Sequence, residues 1–136
     1  MNDVATAPAK ARTAPGVPMP RIGAPLFDGI FAGIVRGEAA DHALVLLAEA
    51  PKRMKWQEAK DWAASLGATL PNRSEQAVLF GNLKDQFPEG GWYWSCEQYA
   101  GSSGYAWFQD FLDGNQFIIL KDNELRARAV RRLPLQ

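Results

Sequence analysis

The chain has 136 residues, 47% hydrophobic and 22% charged, and its 15 Lys and Arg balance its 15 Asp and Glu to a formal net charge of zero. That length holds one domain with a real core but not two, and the charge balance removes the electrostatic case for nucleic acid or an anionic membrane surface. A single cysteine, Cys96, excludes an internal disulfide and any multi-cysteine metal site, and no apolar run approaches the roughly 18 residues of a membrane span.

Residues 1–25 carry Pro8, Pro15, Pro18, Pro20 and Pro25, five of the nine prolines. With Ala, Thr and Gly between them and no apolar periodicity, they read as an extended arm. The arm is either a linker or a segment that orders against a partner or a neighbouring copy. Its opening, MNDVATAPAK, lacks the charged-then-apolar order of a secretory signal, so no signal peptide is expected.

The folded domain is expected over residues 26–136. GIFAGIVRG and HALVLLAE are two runs of strand length around the turn GEAADH, which predicts an antiparallel hairpin over 29–36 and 42–48. The second run is nearly continuous in apolar residues, the pattern of a strand covered on both faces. His42, the only histidine, opens that strand; a general base needs a positioned partner, and none is identifiable in the sequence, so a structural or exposed role is expected.

Two helices follow. Trp56, Ala59, Ala63 and Leu66 keep helical spacing, with Trp62 close to the same face, and Gly67 supplies the stop. Asn72 with Glu75 three residues on is a capping signature, and Ala77, Val78, Phe80, Leu83 and Phe87 give an apolar stripe up to Pro88.

The remainder is strand-like and aromatic. WYWS reads as a short strand, and YAWFQDFLDGNQFIILK as a hairpin about a two-residue Asp113-Gly114 turn. LRARAVRRL alternates, with Leu125, Ala127, Ala129, Arg131 and Leu133 on one side and Arg126, Arg128, Val130 and Arg132 on the other. The order is β, β, α, α and then several strands. That is an α+β class, with an N-terminal hairpin, two helices and a multi-stranded antiparallel C-terminal region, in which the two chain ends can meet in one sheet. The arginines are expected to pair with carboxylates rather than nucleic acid, Arg126 and Arg128 locking the last strand to the loops of the aromatic C-terminal region. Trp92 and Trp94 are read as framework.

The conjunction of WQEAKDWAASLG, LPNRSEQAVLF, WYWS, YAW, DGNQ and ELRARAVRRL, over residues 26–133, resembles the DUF1566 family, a branch of the C-type-lectin-like fold found in phages and bacteria. The resemblance implies ligand or receptor binding, since related variable proteins of diversity-generating retroelements and phage tropism determinants mutate a C-terminal face to change the bound ligand. Carried onto this chain, the ligand-binding positions are Cys96, Gln98, Tyr99, Ser102, Ser103, Tyr105, Trp107, Gln109, Asp113, Asn115, Phe117, Ile119 and Asp122. Gly101, Leu112, Ile118 and Leu120 fall in the same variable stretch.

Similar proteins carry mostly polar residues after GNQ, where this chain has Phe117-Ile118-Ile119-Leu120. The quartet is either a buried strand or an exposed apolar anchor. If exposed, Phe117 and Ile119 are expected to point outward with Tyr105 and Trp107, which favours a protein receptor or virion protein over a carbohydrate. The resemblance places the chain in a virion, on a phage tail, or in the bacterial cytoplasm. It implies no cofactor and no metal, and leaves a homo-oligomer open.

Three other readings stand beside this one. A calcium-dependent lectin could draw on Asp110, Asp113, Asn115, Asp122, Asn123 and Glu124, but the EPN-like and WND-like motifs of such lectins are missing. A formylglycine-generating type of enzyme needs a cysteine pair, and this chain has one cysteine. A structural virion component would dock through the proline-rich arm.

Overall fold

The computed structural model describes residues 19–135. The expected arm lies mostly outside them, but its last residues, 23–25, are held against β2 (Gly29–Val35). Gly23 N–H donates to Phe31 O at 2.8 Å, Phe31 N–H to Ala24 O at 2.9 Å, and Pro25 pairs with Ile30.

Seven antiparallel strands in two sheets and two helices make an α+β fold. The first sheet has the order β1(Pro25–Leu26), β2(Gly29–Val35), β3(His42–Glu49) and β7(Arg128–Pro134). The N-terminal hairpin and the last strand therefore share one sheet, β3 pairing β2 on one edge and β7 on the other. From His42 to Leu47 every residue of β3 is buried, as its continuous apolar run predicts for a strand covered on both faces.

Between the sheets in sequence come α1(Trp56–Ser65) and α2(Arg73–Leu83), the latter followed by a 3-10 turn over Lys84–Gln86. Gly67, at φ 68°, takes the left-handed position that ends α1. At the start of α2, Asn72 Oδ1 accepts from Glu75 N–H and Glu75 Oε1 accepts from Asn72 N–H, both at 2.8 Å. The capping box forms as the spacing predicts.

The buried side of α2 differs from the expected stripe. Leu79 and Leu83 are buried together with Glu75 and Gln76, whereas Ala77 is exposed and Val78 and Phe80 are half-buried. Both Glu75 oxygens and the Gln76 Nε2 are hydrogen-bonded, which offsets their burial, while the buried Gln76 Oε1 has no partner among the described residues.

The second sheet is β4(Trp92–Gln98), β5(Tyr105–Asp110) and β6(Gln116–Leu120), in that order. The β5–β6 connection is not the expected two-residue turn. Asp110 N–H donates to Asn115 O at 2.8 Å, so four residues intervene, and Phe111 turns inward to 1% exposure.

Two cores result. One lies between the sheets and α1 and includes Val45, Trp56, Trp94, Phe108, the inward Ala129 and Leu133 of β7, and Leu125 and Ala127 just before it. The alternation read from LRARAVRRL is present, with Val130 in the other core. That second core gathers Leu44, Leu46, Leu79 and an aromatic group in which Phe87 stacks on Phe111 at 4.0 Å and Tyr93 meets both edge-on. Both buried indoles of the first core are satisfied: Trp56 Nε1 donates to Ser95 O and Trp94 Nε1 to Met54 O, each at 2.8 Å.

Candidate binding face

Antiparallel pairing places directly opposed residues on the same side of a sheet, so the register of β4–β5–β6 sorts the C-terminal residues into two faces. Trp94, Phe108 and Phe117 are opposed in one row, Ala106 and Ile119 in another, and this inner face lies on the first core. Tyr105 with Leu120, Trp107 with Ile118, and Tyr93 with Gln109 and Gln116 form the outer face. The expected grouping of Phe117 and Ile119 with Tyr105 and Trp107 is therefore corrected. Ile119 is half-buried against the core, and Phe117 reaches 55% exposure only because it stands at the rim of the inner face beside Phe108.

The apolar quartet is not a doubly covered strand either. Among the described residues β6 ends its sheet, with one neighbour where β3 has two, and Leu120 is 49% exposed on the outer face.

The outer face is fixed from below by a chain of amides. Gln76 Nε2 donates to Tyr93 O at 3.0 Å and Trp94 O at 3.2 Å. Gln109 Nε2 donates to Gln76 O at 2.7 Å, and Gln116 Nε2 to Gln109 Oε1 and Arg73 O, each at 2.8 Å. Arg73 closes the chain, its Nε donating to Gln116 Oε1 at 3.0 Å and its guanidinium lying 3.6 Å from the centre of the Trp107 ring. Gln109 is 0% exposed. It holds α2 against the sheet and presents nothing outward, which removes it from the expected contact residues.

Along the outer face α2 thus covers Gln109 and Gln116 and reaches Trp107 through Arg73, leaving the row of Tyr105 and Leu120 beyond it. Tyr99 meets Trp107 edge-on at 5.9 Å. Its ring lies across Gly101, where an added Cβ would come within 2.6 Å of the ring. The structure accordingly brings Tyr99, Tyr105 and Trp107 together with Ile118 and Leu120. Exposed Ser102 and Ser103 occupy the loop at the same end, as does exposed Asp122 after β6.

Gln98 is exposed and accepts from Lys121 Nζ at 2.6 Å. Asp113 and Asn115 belong to the opposite end of the β5–β6 hairpin. There Asp113 accepts from Asn115 N–H at 2.9 Å and from Asn115 Nδ2 at 2.8 Å, shaping the turn.

Cys96 sits where β4 shifts register between Trp94 and Gln98. Ser95 Oγ fills that irregularity by donating to Trp107 O at 2.8 Å, and Cys96 N–H donates to Pro71 O at 2.9 Å. The Cys96 side chain is half-buried against the first core, and burial pushes its thiol pKa up, the opposite of a reactive cysteine. Cys96 belongs to the frame.

Two shallow clefts flank this sheet. One of about 570 Å³ is lined by Arg73, Ser74, Ala77, Glu97, Gly114, Asn115 and Gln116. The other, about 300 Å³, is lined by Arg53, Glu89, Gly91, Trp92, Glu124, Leu125 and Arg126. Trp92 is 45% exposed, stacked on Phe108 at 4.6 Å, with Nε1 donating to Asp110 Oδ2 at 3.3 Å. Its expected place in the framework holds for one side of the ring only. Trp94, two residues along on the same face, is fully buried, and nothing in WYWS distinguishes the two.

His42 does have a partner. Its Nε2 lies 2.7 Å from Glu75 Oε2, and Arg132 engages the same carboxylate through Nε at 2.6 Å and Nη2 at 2.7 Å. Burial pulls the Glu75 carboxyl upward, but the hydrogen bonds from Arg132 and Asn72 N–H outweigh it and leave its pKa below the ordinary carboxylate value. The carboxylate is 0% exposed and lines neither cleft. It ties α2 to β3 and β7.

The other arginines divide. Arg131 pairs with Asp28 at 2.6 Å, and Arg126 with Glu49 at 3.3 Å and Glu89 at 3.6 Å. Among the described residues Arg128 forms no ion pair with a carboxylate: Nε donates to Leu47 O at 2.7 Å and Nη1 to Gln86 O at 2.6 Å. It fastens the last strand to β3 and the 3-10 turn, not to the loops of the outer face, which corrects its expected role.

The fold and site define an α+β domain carrying an aromatic and apolar face on a braced three-stranded sheet. Compared with known proteins, the chain matches no family model and no curated protein. No helix among the described residues is long and apolar enough to cross a membrane.

Proposed function

We propose that the chain is a non-catalytic binding protein that meets a protein receptor through the outer face of its C-terminal sheet. The observation that supports this is the contrast within one sheet. Tyr105, Trp107, Ile118 and Leu120, with Tyr99 just past the end of β4, stand partly or largely exposed beside Trp94, Ala106 and Gln109, which are fully buried. Aromatic and branched apolar side chains on a rigid mount suit a protein contact, where a few such anchors carry most of the binding energy. The resemblance to the DUF1566 branch of the C-type-lectin-like fold extends the proposal to host recognition by a tail-associated phage protein.

The test is flow cytometry of the labelled full chain on intact bacterial cells, alongside a Tyr105→Ser, Ile118→Ser, Leu120→Ser triple variant. Saturable binding is expected, abolished by protease treatment of the cells and reduced at least tenfold in a triple variant that keeps the parent melting temperature. Binding that survives protease but falls after periodate would make the receptor a carbohydrate. Equal binding by the triple variant would remove this face from the contact.

A further inference from the structure

We infer that β6 is a self-pairing edge, along which two copies of this chain join antiparallel to make one six-stranded sheet with the two-fold axis at Ile118. The inference does not rest on the receptor reading above.

The parity of the backbone leaves one edge of β6 turned away from β5. Lys121 N–H donates to Gly104 O at 2.9 Å and Asp110 N–H to Asn115 O at 2.8 Å, one bond at each end of the β5–β6 ladder. Hydrogen-bonded pairs alternate along an antiparallel ladder. In the observed register, Ala106↔Ile119 and Phe108↔Phe117 are therefore the bonded pairs. The N–H and C=O of Gln116, Ile118 and Leu120 point away from β5. β5 is the only strand that β6 pairs with among the described residues.

An edge of this kind is ordinarily blunted by a lysine, a proline, an inward charge or a bulge. Gln116–Leu120 contains none of the first three and its register with β5 is unbroken. It carries instead the exposed Phe117 and Leu120.

The edge is complementary to itself. A two-fold axis through an antiparallel edge can pass a bonded or a non-bonded pair; of these, only the axis at Ile118, the central outward-directed residue, engages the outward groups of Gln116, Ile118 and Leu120 together. With Ile118 opposite itself, Phe117 meets Ile119 of the second copy on the inner face and Gln116 meets Leu120 on the outer. Lys121 falls opposite Asn115 and Asp122 opposite Gly114, so no like charges are opposed. The Leu120 carbonyl is already taken by Asn123 N–H and Nδ2, each at 3.1 Å; the ladder uses its N–H, toward Gln116 O of the copy. Residues 1–18 are a poorer occupant. Pro8, Pro15 and Pro18 interrupt their supply of donors, and between Val4 and Val17 their only apolar residues are Ala and Pro. Self-pairing sets two outer faces side by side, the isologous arrangement common in homodimers.

The interface is smaller than the roughly 1,600 Å² of a standard complex, so a concentration-dependent dimer in the micromolar range is expected. Light scattering on the full chain, up to about 500 µM, should show the mass rising toward twice the 15.0 kDa of one chain. Ile118→Pro removes an outward N–H and no β5 bond; it should weaken dimerisation at least tenfold while leaving the melting temperature near the parent's. Phe117→Pro removes a donor to β5 and should lower the melting temperature instead. If Ile118→Pro fails to fold, Ile118→Cys in a Cys96→Ser background keeps the test open. A bonded antiparallel pair sits about 5.5 Å apart at Cα, within disulfide reach, so copper–phenanthroline should give a covalent dimer. A mass that stays at one chain throughout, a dimer indifferent to both residues, or a dimer lost only on deleting residues 1–18 would each overturn the inference.

Discussion

HALVLLAE and QFIIL look alike as sequence and end in opposite situations. β3 is the inner strand between β2 and β7 and is buried from His42 to Leu47, whereas β6 has one neighbour among the described residues and two of its five residues exposed. An apolar run records that a strand has something to pack against, not how many neighbours it has. The sheet containing β3 closes over two cores. The sheet containing β6 uses its inner face for core and leaves much of its outer face and one edge toward solvent.

The largest effects should separate those two strands. Leu46→Ala, at 1% exposure in the second core, should cost about 3 kcal/mol, while Phe117→Ala at the rim should cost less than about 1 kcal/mol. Urea titrations of both variants measure this directly, and similar costs would erase the contrast.

Next comes the clasp on which α2 rests. Glu75→Gln keeps the shape but leaves Arg132 without its charged partner, and about 2–3 kcal/mol of stability should go. The sign with pH follows from the depressed Glu75 pKa. Its contribution is fully present above the ordinary carboxylate pKa and is lost as pH falls through the lower folded value. The gap between parent and variant, read from urea midpoints at a series of pH values, should be widest near neutrality and close on acidification. A gap that widens in acid would contradict the assignment.

A smaller effect belongs to the turn that carries β6. Gly114 has φ 81° and an added Cβ would lie 2.9 Å from the Phe80 ring, so Gly114→Ala should cost about 1–2 kcal/mol. A melting temperature equal to the parent's would show that the turn relaxes without cost.

Much of the frame was legible because it obeys local rules. The capping box at Asn72 and Glu75, the stop at Gly67, the continuous run of β3 and the alternation in LRARAVRRL each depend on residues a few positions apart. What was not legible depends on distance. His42, Glu75 and Arg132 lie 33 and 57 positions apart and meet only because β3 and β7 are neighbours beneath α2. Gln76 and Gln109 look like surface residues until the backbone carbonyls they satisfy are in place. Trp92 and Trp94 share a face of the same strand, and only the position of the core's rim decides that one is buried and the other half-open. The pairing partners of Phe117 and Ile119 required the β5–β6 register, which a four-residue connection shifts from the one that Asp113-Gly114 alone suggests.

The division into frame and face is tested most directly by a saturation scan of residues 90–133, scored by protease resistance of the displayed chain. Gln98, Ser102, Ser103, Tyr105, Ile118 and Leu120 should accept most substitutions without loss of resistance. Trp94, Ala106, Gln109, Ala127 and Ala129, each 0% exposed, should accept almost none. Tolerance at Gln109 equal to that at Ser102, or intolerance spread evenly over both sets, would contradict the account.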